Sequence, residues 1–96
     1  MKHVLALCLA LAASIGSAEA ACYAEYKAKR DNPLQLHYGI LQLPSDAACR
    51  NQQRAGAVIE RRIGRDGWTL LSVMSLSTTP PSAEQRSNAG QYYLRY

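Results

Sequence analysis

Two stretches early in the chain alternate between apolar and polar positions, which is the pattern of a β-strand with one buried side. In residues 22–29 the more apolar side carries Ala24, Tyr26 and Ala28. In residues 34–43 one side carries Leu36, Tyr38 and Ile40, and the other carries His37, Gly39, Leu41 and Leu43. Asp, Asn and Pro at positions 31–33 predict a turn between them. We therefore expect an antiparallel hairpin.

A helix is predicted from residue 47 to residue 63, where apolar residues recur at helical spacing without an intervening proline. Its narrow apolar side consists of Ala48, Cys49, Ala55, Ile59 and Ile63. Ser45 is placed to act as the N-cap. Gly64 follows the last apolar position and predicts a C-terminal cap in the left-handed conformation. Such a helix is expected to cover a sheet with one face only.

The period changes from helical to alternating at Trp68, after the turn dipeptide Asp66-Gly67. The alternation places Trp68, Leu70, Ser72, Met74 and Leu76 on one side of a third strand. Its other side, with Leu71 and Val73, is also apolar, which favours a central or well-covered strand. We expect Trp68 to pack on the preceding helix as part of the core, and the alternative is that it lines a ligand site.

The last predicted elements are a short helical turn and a fourth strand. Ser82 and Gln85 have the spacing of a capping box, so a turn of helix is expected through Asn88 and closed by Gly90. Residues 91–96 read as a strand with Tyr92, Leu94 and Tyr96 on one side. The predicted class is α+β: an antiparallel sheet of about four strands, in the order β-β-α-β-β, with one main helix packed on one face.

Residues 1–20 have the three-part pattern of a secretory signal peptide. Lys2 and His3 are followed by an apolar run at positions 4–13, and Ala18 and Ala20 supply small residues before a cleavage site at Ala20–Ala21. The apolar run is too short for a permanent membrane anchor, and no later segment is long and apolar enough to form one. We therefore expect an exported protein, periplasmic or secreted, whose mature chain is a single domain over residues 21–96.

Two cysteines, Cys22 and Cys49, remain after removal of the signal peptide, which contains Cys8. An even pair in an exported chain predicts a disulfide. It would close a loop of about 27 residues and stabilise the fold by about 3.5 kcal/mol. Redox-active and zinc-binding roles are weaker alternatives because the spacing is not C-x-x-C and no histidine pair accompanies it. Lipid attachment to Cys22 is a further alternative, which Glu19 disfavours.

The turn at residues 64–71, with the sequence G-R-D-G-W-T-L-L, resembles that of a family of short bacterial β-α-β-β domains of unknown function. Residues 25–27 take the place of that family's opening strand, and residues 92–95 take the place of its closing strand. The mature chain also resembles small exported bacterial proteins that carry C-Y-A-E-Y-K-A-K and end in A-G-x-Y-Y-L-R-Y. The resemblance implies a β-α-β-β-like core and implies no activity, cofactor or catalytic residue.

Candidate chemistry is sparse after residue 20. His37 is the only histidine there, and neither a nucleophile elbow, a phosphate-binding loop nor a metal-binding motif is present. We therefore predict no catalytic residue, no metal and no cofactor. Removing residues 1–20 takes away one charge of each sign, so the net charge stays at +4. This mild basicity gives only a weak preference for acidic partners and no strong nucleic-acid signal.

These features favour a non-catalytic binding or interaction module in the cell envelope, with a protein, a peptide or an envelope component as partner. The candidate surface comprises His37, Tyr38, Trp68, Arg61, Arg62, Tyr92 and Tyr93, and an unpaired sheet edge is a further candidate. An alternative is a small ligand-binding or hydrolase/lyase-type domain, ferredoxin-like, that uses His37 with an arginine. A weaker alternative is polyanion binding through a helical stripe of Arg50, Arg54, Arg61, Arg62 and Arg65. The oligomeric state is left open.

Overall fold

The computed structural model describes residues 21–96, so the predicted signal peptide lies outside the described residues. In chain order the elements are strand β1 (Cys22–Arg30), strand β2 (Gln35–Leu43), a 3₁₀ turn (Asp46–Arg50), helix α1 (Gln52–Gly64), strand β3 (Thr69–Ser77), helix α2 (Ala83–Ala89) and a 3₁₀ turn (Gly90–Tyr92). The predicted α+β class is confirmed. The described chain has three strands and two helices, however, instead of four strands and one main helix.

The three strands form an antiparallel sheet in the order β2-β1-β3, with β1 in the middle. The predicted hairpin of β1 and β2 is confirmed, and so is the alternation in β1, whose Ala24, Tyr26 and Ala28 are fully buried. Tyr26 lies opposite Gly39, and a Cβ atom on Gly39 would come within 2.5 Å of the Tyr26 hydroxyl oxygen. Glycine at position 39 therefore makes room for the Tyr26 ring over β2.

Helix α1 covers one face of the sheet with the predicted side chains Ala55, Ile59 and Ile63, all buried. Its start differs from the prediction. The chain first makes the 3₁₀ turn, and α1 begins only after Asn51, whose side chain accepts a hydrogen bond from the Arg54 amide. Ser45 makes no side-chain cap. The N-cap is therefore Asn51, six residues after Ser45, and its side chain satisfies an amide of the first helical turn.

The cap at the end of α1 also lies later than predicted. Gly64 is still helical, and the glycine with a positive φ is Gly67, at 83°. The Trp68 amide donates to the Ile63 carbonyl, and the Gly67 amide donates to the Gly64 carbonyl. These two bonds form a Schellman motif with Gly67 in the left-handed position. The turn brings Trp68, only 5% exposed, into the same core as Ile63, as expected for a core tryptophan.

Strand β3 is an edge strand, so the prediction of a central or well-covered strand is wrong. Its pairing with β1 skips Leu71 and Met74, which are therefore bulge residues. Each bulge inserts one residue, so the side chains that reach the core are spaced by three, namely Leu70, Val73 and Leu76. The predicted side with Ser72 and Met74 is consequently wrong: Met74 is 48% exposed and Leu71 is 51% exposed.

The predicted disulfide is confirmed between Cys22 and Cys49, whose Cα atoms are 5.5 Å apart. It joins the beginning of the central strand to the 3₁₀ turn that precedes α1. The bond therefore holds the helical layer against the sheet at one end, while the Schellman turn connects the two layers at the other. Among residues 21–96, no helix is long and apolar enough to span a bilayer.

Helix α2 begins with the predicted capping box of Ser82 and Gln85. The predicted fourth strand at residues 91–96 is wrong. After Gly90 the chain makes a 3₁₀ turn, and Leu94 has a positive φ of 54°, which an extended strand does not allow. Only one parallel bridge, between Ile40 and Tyr93, joins this segment to the sheet in the described part of the chain.

Candidate functional site

His37 lies in an aromatic cluster on the α1 side of the sheet and is only 8% exposed. Its Nε2 is 2.9 Å from the Tyr26 hydroxyl oxygen, while its buried Nδ1 has no hydrogen-bond partner among residues 21–96. The Tyr92 ring stacks on the imidazole at 3.7 Å between centroids, and Trp68 meets it edge-on at 4.2 Å. The cluster therefore brings together three of the predicted surface residues, His37, Trp68 and Tyr92.

The electrostatics of this cluster keep the imidazole neutral. Burial, and secondarily the positive charge of Arg30, lower the pKa of His37 from its ordinary value of 6.5 to about 4. Burial raises the pKa of the Tyr26 hydroxyl above its ordinary value. A neutral imidazole can accept a proton in principle, but Tyr92 covers this ring and Tyr26 occupies its Nε2. The arrangement is that of a packed core histidine with aromatic neighbours.

Arg30, which the sequence patterns do not single out, connects the cluster to both turns at this end of the sheet. Its guanidinium carbon lies 4.2 Å from the centroid of a Trp68 ring. The guanidinium donates two hydrogen bonds to the Gln35 side-chain oxygen and one to the Asp66 carbonyl. Asp66 in turn accepts a hydrogen bond of 2.7 Å from the Tyr96 hydroxyl. These contacts stabilise the Schellman turn and the C-terminal residue together.

Tyr38, another predicted surface residue, lies on the opposite face of the sheet. Its hydroxyl donates to Glu25 at 2.7 Å, and the same carboxylate accepts hydrogen bonds from the Ser75 hydroxyl at 2.7 Å and the Gln85 amide group at 2.9 Å. The bonds from Tyr38 and Ser75 lead the contributions that lower the pKa of Glu25 below its ordinary value of 4.5. All three strands and α2 thus meet at one ionised carboxylate.

The remaining predicted surface residues lie at different places. Arg61 is exposed on α1, whereas Arg62 donates a hydrogen bond of 3.1 Å to the Gln42 carbonyl. Tyr93 forms the bridge to Ile40. Arg50 belongs to the 3₁₀ turn and not to α1, so the ideal helix assumed for the arginine stripe does not extend to its first member. The structure therefore does not combine the seven predicted residues into one surface.

The two edges of the sheet differ in how they are covered. At the outer edge of β2, the Ile40 carbonyl accepts a hydrogen bond from the Leu94 amide, and the Gln42 carbonyl accepts the bond from Arg62. The segment after α2 crosses this edge, because Tyr93 pairs with Ile40 while Tyr92 stacks on His37 on the α1 side. The C-terminal segment therefore acts as a cover for the β2 edge.

The outer edge of β3 has no such cover, since no other strand of residues 21–96 pairs with it. The strand is nine residues long, and its sequence TLLSVMSLS contains no charged residue and no proline. Native edge strands usually carry charges, prolines or bulges that block further pairing. Of these devices β3 has only the bulges, and the residues at the bulges, Leu71 and Met74, present exposed apolar side chains. This edge is the structural feature that most clearly calls for a partner.

Two adjoining grooves follow the β3 edge, between the strand and the helical layer. One, of about 330 Å³, is lined by Arg50, Gln52 and residues 73–76. The other, of about 440 Å³, is lined by Gln52, Gly56, Glu60 and Val73, together with Gln53 and Ala57. They share Gln52 and Val73, so the two grooves adjoin beside the strand. The sequence feature that marks this open strand edge is the run of nine uncharged residues from 69 to 77.

Within the described part of the chain, no three His, Cys, Asp or Glu side chains come together as a metal site. Comparison of the chain with protein-family models, with curated proteins and with solved structures finds no significant match. The resemblance to short bacterial β-α-β-β domains therefore stays a prediction.

Proposed function

We propose that this protein is an exported, non-catalytic interaction module that binds a partner by adding a β-strand to the outer edge of β3. The observation that carries the proposal is the contrast between the edges, because β2 is covered by Leu94 and Arg62 whereas the uncharged β3 presents Leu71 and Met74. In strand addition, main-chain hydrogen bonds supply affinity and side-chain pockets supply specificity. The groove beside β3 offers such pockets.

Export to the periplasm or the medium is the second part of the proposal. The pattern at residues 1–20 supports it, and so does the disulfide, which forms and persists in oxidising compartments. Mass spectrometry of the protein recovered from the exporting cells tests this part. A chain that begins at Ala21 and is lighter by two hydrogens than its reduced form is expected. A chain that retains residues 1–20 would contradict it.

The other two functions have less geometric support. A hydrolase or ligand-binding site at His37 needs an accessible imidazole, and this one lies under Tyr92 with 8% exposure. Polyanion binding needs a continuous basic stripe, but Arg50 lies outside α1 and Arg62 is bonded to the edge of β2. The β3 edge has no strand paired to its outer side among residues 21–96, and it carries no charge. Strand addition is therefore the function that the described residues support best.

Photocrosslinking in the exporting cells tests the binding site residue by residue. A photoreactive phenylalanine analogue replaces Met74 on the β3 edge or, as a matched control, Leu36 on β2, which is 66% exposed. We expect a crosslinked product from position 74 that is lost when Leu71→Lys is added, because the charge opposes strand pairing. Equal crosslinking from position 36, or no product from position 74, would overturn the proposal.

A further inference from the structure

We infer that the partner of the β3 edge is a second copy of this chain, paired through an antiparallel β3–β3 contact centred on Val73. This inference rests on the proposed function, since it names the partner for that same edge. It predicts a two-fold symmetric dimer with a continuous six-stranded sheet. Both copies of α1 would lie on the same face of that sheet.

The sequence of β3 is complementary to itself in an antiparallel pairing. In an antiparallel pairing about Val73, residues 69 and 77 face each other, as do 70 and 76, and Val73 faces its own copy. Leu70 therefore meets Leu76, and Thr69 meets Ser77. The side chains that pack against α1 are Leu70, Val73 and Leu76, so the pairing extends one apolar layer across the contact.

The grooves beside β3 carry opposite charges at their two ends. Exposed Arg50 lines the part of the groove beside residues 73–76, and exposed Glu60 lines the other part, where α1 passes Val73. A two-fold axis at Val73 makes the two β3 strands run in opposite directions. The Arg50 end of the groove in each copy therefore lies beside the Glu60 end of the groove in the other copy. Arg50 is 3.9 Å from Asp46, a loose pair at the surface that leaves its side chain 76% exposed. Each dimer thus contains two pairs of opposite charges, Arg50 with Glu60 of the other copy, and both pairs favour this register.

A two-fold contact between two copies of β3 avoids open-ended assembly. A strand that adds to an open edge leaves its own other edge free, and repeated addition then gives open chains of molecules. Here the C-terminal segment covers the β2 edge at Ile40, whereas no strand of residues 21–96 covers the outer edge of β3. An antiparallel β3–β3 contact uses both free edges at once and closes the assembly at two copies.

Sedimentation velocity of the purified, oxidised chain from residue 21, over a concentration series, tests the assembly. We expect reversible dimers in the wild type and in the control Leu36→Lys, and monomers in Met74→Lys at the same concentrations. Circular dichroism melting checks that both variants are folded. Wild-type protein that stays monomeric throughout, or Met74→Lys that dimerises as well as the wild type, would overturn the inference.

Charge exchange tests the register. Arg50→Glu and Glu60→Arg are each expected to weaken the dimer roughly three- to tenfold, because each places like charges opposite one another at two symmetric positions. The double exchange is expected to restore the dimer to near wild-type affinity. Single exchanges without effect, or a double exchange that is weaker than both, would rule out this register.

A cysteine at position 73 tests the two-fold axis directly. Residues opposite each other in an antiparallel pair have Cα atoms roughly 4.5–5.5 Å apart, which suits a disulfide. Val73→Cys is therefore expected to form a covalent dimer on oxidation, whereas Thr69→Cys, about 20 Å from its own copy along the doubly bulged strand, should not. Absence of the Val73→Cys dimer would contradict the inference.

Failure of the dimer is distinguishable from failure of strand addition. Photocrosslinking from position 74 gives a product of twice the chain mass if the partner is a second copy. A product with a different protein, together with monomers in sedimentation, would end the self-pairing inference and leave the proposed function standing. No β3-specific product and no dimer would end both.

Discussion

The ring of Tyr92 lies nearly parallel to the ring of His37, with the two centroids 3.7 Å apart and the two planes inclined by 12°. Tyr92 comes from the 3₁₀ turn after α2, and His37 comes from β2. The contact therefore joins the C-terminal segment to the α1 face of the sheet. It also closes the core over an imidazole that the chain keeps neutral.

Replacing Tyr92 with alanine is expected to lower the free energy of unfolding by about 2 kcal/mol, because a half-buried ring and its stacking contact are lost. The pKa of His37 should rise toward its ordinary value as water reaches the imidazole. Urea denaturation and an NMR titration of the histidine measure these two effects. Tyr92→Phe keeps the ring and should change little. An unchanged His37 pKa in Tyr92→Ala would contradict the role of Tyr92 as a cover.

Stability should fall as the pH drops from about 6.5 to about 4. The pKa of His37 is lowered in the folded chain from 6.5 to about 4, so in this range the unfolded chain binds a proton that the folded chain does not. The loss is on the order of 3 kcal/mol, and most of it has occurred once the pH reaches the lower value. Urea midpoints of the wild type and of His37→Phe across this range measure it. The variant is less stable because Tyr26 loses its partner, but its stability should not show this slope.

Replacing Glu25 with glutamine is expected to cost about 1.5–3 kcal/mol, because an amide cannot accept from Tyr38, Ser75 and Gln85 at once. The pKa of Glu25 is lowered, so its stabilising effect is present above 4.5 and is lost as the pH falls through its folded-state pKa. Urea denaturation at neutral pH measures the cost. Glu84→Gln, at an exposed position in the first turn of α2, is the matched control. Equal effects of the two substitutions would show that the Glu25 network does not stabilise the fold.

Two glycine-to-alanine substitutions should act in opposite directions. Gly39→Ala places a Cβ atom 2.5 Å from the Tyr26 hydroxyl oxygen and 2.6 Å from its ring, so we expect a loss of about 1–3 kcal/mol. Gly56→Ala, inside α1, places its Cβ in ordinary contact with Val73 and Leu70 at 3.8 and 3.9 Å. It should stabilise the fold by about 0.5–1 kcal/mol. Thermal melting of both variants provides the comparison, and a stable Gly39→Ala would show that Tyr26 can move.

Removing the disulfide by replacing Cys22 and Cys49 with alanine is expected to cost about 3.5 kcal/mol, since the unfolded chain is no longer constrained by a loop of 27 residues. Reduction of the wild-type protein should have a similar effect. The measurement is the urea midpoint with and without reductant. The double variant itself should show no response to reductant, which serves as the control. A wild-type midpoint that reductant leaves unchanged would contradict a stabilising role.

Local patterns predicted β1, β2, the core face of α1 and the capping box of α2. Alternation places Ala24, Tyr26 and Ala28 on one side wherever the pairing is regular, and helical spacing does the same for Ala55, Ile59 and Ile63. Two caps were misplaced because Asn51 and Gly67 competed with Ser45 and Gly64 for the same role. The choice between such neighbours depends on how the strands before and after the helix are fixed.

The candidate site was predicted only in part. His37, Trp68 and Tyr92 do come together, but Tyr38 lies on the other face with Glu25. The edge position of β3 could not be predicted, since strand order in a sheet depends on contacts between distant residues. The lack of charge from residue 69 to residue 77 was visible, yet it fits a buried central strand and an unblocked edge equally well.

The sequence by itself determined the hairpin, the apolar face of α1 and the pair of cysteines that joins them, because alternation, helical spacing and cysteine count are local properties of the chain. Only the tertiary structure decided which strand lies at the edge and which side chains of β3 reach the core. The physical reason is that the two bulges arise from pairing with β1, and each shifts the alternation by one residue. The alternation of residues 91–96 likewise indicated a strand. In the structure the Leu94 amide donates to the Ile40 carbonyl, and the C-terminal segment covers the edge of β2.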